Sequence, residues 1–112
     1  MTFKNPEVVK QIEEQYPEMM AEYKKIIWEQ YLKQSNYGPG NISVGTSLAT
    51  QEDIKLSLTG LWFRMNDKIQ RLKQLVVLGK QDNVGEAVED TFQDLSVYAV
   101  ICQLVNRGKW AK

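Results

Sequence analysis

The sequence predicts an all-α protein, a single-domain helical bundle of about four helices with one long Gly/Pro-rich loop. Three observations predict it. Apolar residues recur at steps of three and four along most of the chain, the period of one face of an α-helix. Pro6-Glu7 and Pro17-Glu18 each pair a proline with an acid, as first helical turns do. Finally, 112 residues with 43% apolar content suffice for one hydrophobic core, so residues 1–112 are read as one domain.

The first helix starts at Asn5-Pro6-Glu7, with Asn5 as N-cap and Val8, Val9 and Ile12 as a short apolar side. Tyr16-Pro17-Glu18 breaks or kinks it, because the residue before a proline is pushed out of the helical region. From Pro17 to about Gln34, Met20, Tyr23, Ile27 and Tyr31 form the next helical stripe, which Trp28 widens. Residues 35–50 hold Asn36, Gly38, Pro39, Gly40, Asn41, Gly45 and Ser47, all turn formers. A connection that long is usually functional or disordered, and Tyr37 within it points to function.

Thr50-Gln-Glu-Asp53 resembles a capping box. A long amphipathic helix follows, with Ile54, Leu58, Leu61, Met65, Ile69, Leu72 and Val76 on its stripe and Gly79 as terminator. Asp82-Asn-Val-Gly85 reads as a turn. The last helix opens with Glu86, Glu89 and Asp90, where the helix dipole favours anions. Its core stripe is Val88, Thr91, Leu95, Tyr98, Cys102 and Val105, and Asn106-Arg-Gly108 ends it. Between Leu95 and Val105 nearly every side is apolar, which predicts a place at the bundle centre or in a subunit interface. An oligomer is therefore expected, with unstated symmetry. Most of the three tryptophans and five tyrosines are expected in the core.

Fourteen basic and fourteen acidic side chains cancel, so long nucleic acid and anionic membranes are not expected partners. There is no histidine, which removes the commonest general base and transition-metal ligand and leaves only a hard cation held by carboxylates. Cys102 is a lone thiol in an apolar run and reads as a small buried hydrophobe. No apolar stretch approaches the ~20 residues of a membrane span, and the N-terminus is polar. A cytoplasmic location is expected.

Two polar groups stand apart from the packing pattern. Arg64, Asp67, Lys68 and Arg71 recur at i, i+3, i+4 and i+7, away from the apolar stripe, and Gly60 extends their face by a turn. They form either a solvated face with internal ion pairs or a cationic phosphate site, with Gly60 permitting close backbone approach. Asp90 and Asp94 lie one turn apart with Glu86 a turn earlier. Asp94, at the edge of an apolar run, needs a partner: Arg64, Lys68 or Arg71 in a structural ion pair, or Mg²⁺. Tyr37 and Trp62 are candidates for base stacking or, equally, for packing.

Three blocks resemble a known family: Lys33-Gln-Ser-Asn-Tyr-Gly38, Arg64-Met-Asn-Asp-Lys-Ile-Gln-Arg-Leu72 and Glu89-Asp-Thr-Phe-Gln-Asp-Leu-Ser-Val-Tyr-Ala99. Together they are similar to the nucleotide-modification-associated domain family, first type, widespread in bacteriophages, over roughly residues 20–105. The family's loop has Asp before Tyr-Gly, and Asn36 stands there in this chain. The family in turn is similar to the MazG-like nucleotide pyrophosphohydrolases at the level of fold. The resemblance implies a nucleotide partner, bound by Lys33, Asn36, Tyr37, Arg64, Lys68 and Arg71, with Trp62 beside them as the stacking candidate. It adds weight to Mg²⁺ held by Asp67, Asp90 and Asp94, and Glu86 would serve as general base if the chain is catalytic. The alternatives are a non-catalytic protein that sequesters a nucleotide signal, and a structural oligomerisation module.

Overall fold

The computed structural model describes residues 5–82 and 88–112. Among them are five α-helices and no strand: α1 Pro6–Gln15, α2 Pro17–Lys33, α3 Pro39–Ser43, α4 Gln51–Leu72 and α5 Val88–Asn106. The all-α architecture follows the periodicity, and so do most boundaries. Pro17 has no N–H to continue α1 and forces Tyr16 out of the helical region, at φ −130°. Thr50 caps α4, its hydroxyl accepting from the Asp53 N–H at 3.1 Å. A π-helical turn over Lys73–Val77 prolongs α4, and Gly79 stops the chain there at φ +63°, a conformation that favours glycine.

The connection between α2 and α4 is more ordered than its composition suggests. A 3₁₀ turn over Gln34–Asn36 leads into α3, which has Pro39 at its first position. Ile42 of α3 is buried and packs with the α4–α5 core. Two polar bonds pin this hook: the Ser57 hydroxyl donates to the Ile42 carbonyl at 2.6 Å, and the Trp110 indole N–H donates to the Pro39 carbonyl at 3.3 Å. Turn residues mark where a chain bends, and here buried Ile42 decides that the bend packs inward.

The core lies between α4 and α5, with the hook and the C-terminal turn closing it: Leu61, Val97, Tyr98, Ile101, Val105, Ile42 and Trp110 are buried. The predicted stripe of α4 holds through Met65 and fades beyond, because Ile69 and Val76 lie exposed past the end of that core. On α5 the expected Thr91, Tyr98 and Val105 are buried, and Val97 and Ile101 join them, which places α5 at the centre. Cys102 is half-buried, and burial pushes its thiol pKa up.

The first two helices depart from the expected packing. Neither α1 nor α2 contains a buried residue. The predicted stripe residues Tyr23, Ile27 and Tyr31 are exposed, as are Trp28 and Trp62; among the tyrosines and tryptophans only Tyr98 and Trp110 are buried. The resulting shape is broad and thin, 45 × 43 × 20 Å, with a radius of gyration of 17.0 Å against about 13 Å for a compact chain of this length. Among the described residues no helix is long and apolar enough to cross a membrane.

Candidate functional site

The face of α5 that turns from the core towards the end of α2 carries Asp94. Its carboxylate meets two ammonium groups from different helices: Lys33 Nζ of α2 lies 2.8 Å from Oδ1, and Lys68 Nζ of α4 lies 3.1 Å from Oδ2. All three side chains are less than one-third exposed. Lys33 also reaches the Gln93 amide oxygen at 3.5 Å. Burial pushes the Asp94 pKa up, but hydrogen bonds and charge from Lys33 and Lys68 outweigh it, and the pKa ends below its usual 3.8.

One turn further along α5, Tyr98 joins the cluster to an aromatic pair. Its ring lies 5.3 Å from that of Tyr37, tilted at 52°, and the Arg64 guanidinium stands 5.9 Å from its centroid, within cation–π range. Arg64 also donates to the Asn41 carbonyl at 3.4 Å, tying α4 to the hook. Tyr37 follows the 3₁₀ turn, and burial first, then hydrogen bonding with Tyr98, raises its pKa well above 10.0. Its hydroxyl is therefore a neutral donor or acceptor at physiological pH.

Of the residues singled out in the sequence, Lys33, Tyr37, Arg64, Lys68 and Asp94 come together here. Asn36 ends the 3₁₀ turn next to Tyr37 and is exposed. Arg71 is drawn elsewhere, to Asp82 at 3.2 Å. Trp62 lies along a groove with Ile54, Leu58 and Asn106, its ring edge-on to Phe63, and does not join the cluster. Asp67 and Asp90 are exposed, whereas Arg64, Lys68 and Arg71 are half-buried. Glu86 lies outside the described residues. Gly60 faces the hook: a Cβ there would meet the Val44 side chain at 3.9 Å, an ordinary contact, so no close approach demands glycine.

The sequence offers Lys68 as a partner for Asp94 but does not pair Lys33 with it, since Lys33 stands only in the family-like loop block. It also leaves Tyr98 in the core stripe. The available signal was spacing, since Tyr98 follows Asp94 by four residues and shares its side of α5.

The surroundings of Asp94 do not favour a cation there. Both Asp94 oxygens face ammonium groups that would repel a cation, and no three metal-ligating side chains converge among the described residues. The arrangement instead suits an anion: cations held in place by one carboxylate, beside two aromatic rings. No family model matches this chain, and neither a curated protein nor a solved structure matches it.

Proposed function

We propose that the chain is a binding module for a small phosphorylated ligand of the nucleotide class, which it holds without hydrolysing it. One observation carries this proposal: Lys33 of α2 and Arg64 and Lys68 of α4 converge around Asp94 and Tyr98 of α5 and Tyr37 of the hook. Asp94 orients both ammonium groups before any ligand arrives, which lowers the ordering cost of binding. Phosphate oxygens would accept from the lysines and the guanidinium, the latter in its planar fork. Tyr37, half-buried beside Tyr98, is the aromatic side chain of the cluster on which a base would stack. The family-like blocks of α4 and α5 point to the same ligand class.

Binding is preferred to hydrolysis because both Asp94 oxygens already face ammonium groups that would repel a metal ion. The test is a thermal-shift screen with nucleoside mono-, di- and triphosphates and cyclic nucleotides, with and without Mg²⁺. A ligand at a hundred times its dissociation constant adds about 2.7 kcal/mol, several degrees for a domain of this size. The expected result is a shift that is insensitive to Mg²⁺ and abolished in Lys33→Gln and Arg64→Gln. A shift that requires Mg²⁺ would restore the metal-dependent hydrolase. No shift with any ligand would favour a structural module, in which the Lys33–Asp94–Lys68 bridge serves only to fasten α2 and α4 onto α5.

A further inference from the structure

We infer that two copies of this chain associate by exchanging their N-terminal helices, α1 of each copy lying in an apolar groove of the other. This goes beyond the ligand proposed above and is independent of it. Three observations support it. The first is area. The chain exposes 8509 Å², whereas a compact monomer of 12.9 kDa exposes about 6,300 Å². The excess of roughly 2,200 Å² per chain falls within what an obligate homodimer buries on each side, about 1,000–2,500 Å².

The second observation is the groove itself, 460 Å³ in volume, between α2, α5 and the C-terminal turn. Val97, Val100 and Leu104 of α5 form its floor, Ile27 and Tyr31 of α2 one wall, and Trp110 its end. Nothing in the described chain fills it, although most of its lining is apolar.

The third observation is a match of shape and charge in α1. At ten residues it is shorter than the ~12–15 at which an isolated helix becomes stable in water, and it has no buried residue. Val8, Val9 and Ile12 are exposed along it, accompanied by the acids Glu7 and Glu14. The groove is rimmed by Lys109 and Lys112. An acidic amphipathic helix entering an apolar slot with a basic rim is complementary in both respects. The occupant comes from a second copy because α1 is held in its own chain against the first half of α2, where Glu13 meets Lys24 at 3.1 Å, whereas the groove borders the second half. Mutual exchange gives a closed two-fold dimer.

The test is solution mass by light scattering after size exclusion, with helicity checked by circular dichroism. The expected mass is twice 12.9 kDa for the native chain. It should fall to the monomer value in Ile12→Asp, which alters the inserted helix, and in Val100→Asp, which alters the groove floor. Neither side chain is buried, so both variants should keep their helicity. Ile69→Asp, at a somewhat more exposed apolar position on α4 outside the groove, should remain dimeric. A monomeric native chain, or a dimer that survives Ile12→Asp, would overturn the inference. So would dissociation by Ile69→Asp, which would indicate general apolar adhesion.

Discussion

The α4–α5 pair and the α1–α2 arm are built from the same kind of sequence and end in opposite environments. Both carry apolar residues at helical spacing. In the pair, Leu61, Ile101 and Val105 are all but inaccessible to water; in the arm, Tyr23, Ile27 and Trp28 stand about half or more exposed. The difference shows what periodicity does and does not say. A helical stripe establishes that a helix has an apolar side, and only the tertiary arrangement decides whether the same chain covers it. Here the pair forms the monomer's core, while the arm offers its stripe outward.

Five substitutions would sharpen or break that contrast. The largest effect is expected from Ile101→Ala, which opens a cavity in the pair and should cost about 3–4 kcal/mol in urea unfolding. The equivalent Ile27→Ala in the arm should cost under about 1 kcal/mol in the monomer, and comparable losses would show that the arm is part of the monomer core.

Next comes Asp94→Asn, which leaves Lys33 and Lys68 facing each other without their carboxylate and should cost about 2 kcal/mol. Because the folded pKa of Asp94 lies below its usual 3.8, its contribution is fully present above that value and is lost as pH falls through the lower folded one. The unfolding free energies of wild type and Asp94→Asn should therefore converge only under acid conditions, below about pH 3.8. Convergence near neutrality would mean that the bridge contributes little to holding the arm on the pair.

Ser57→Ala removes the bond to the Ile42 carbonyl and leaves that buried acceptor without its hydroxyl partner. A loss of about 1.5 kcal/mol is expected in denaturant titration, with the hook becoming more accessible to protease. Smallest is Gly60→Ala. The added methyl meets Val44 at ordinary contact distance, so the gain in helix propensity should raise stability by about 0.5–1 kcal/mol, seen as a higher melting temperature. A loss there would mean that α4 and the hook are packed more tightly than that distance implies.

The helices were legible because their signals are local: Pro6, Pro17 and Thr50 mark starts, and the stripe of α5 predicted its central position. The hook was not, because Asn36, Gly38, Pro39 and Gly40 describe a bend and carry no information about Ile42 finding the core. The outward arm was not legible either, since exposed and buried apolar stripes have the same sequence pattern. At the cluster, α4 and α5 declared Arg64, Lys68 and Asp94 by intrahelical spacing. Lys33 is sixty-one positions from Asp94, and no periodicity links residues on separate helices. Arg71 shows the converse error: sharing a helix face with Lys68 did not keep it from turning to Asp82.

The bond from Trp110 to the Pro39 carbonyl spans 71 positions, and the indole that makes it is buried. During synthesis, α2 and α4 can coil as soon as they emerge, but the hook between them has no lid until residue 110 has left the ribosome. Ile42 therefore stays without this lid, open to water and to chaperones, until well after α2 and α4 have formed. Closure therefore waits on the emergence of Trp110, and the tryptophan fluorescence of a stalled nascent chain would report when it occurs.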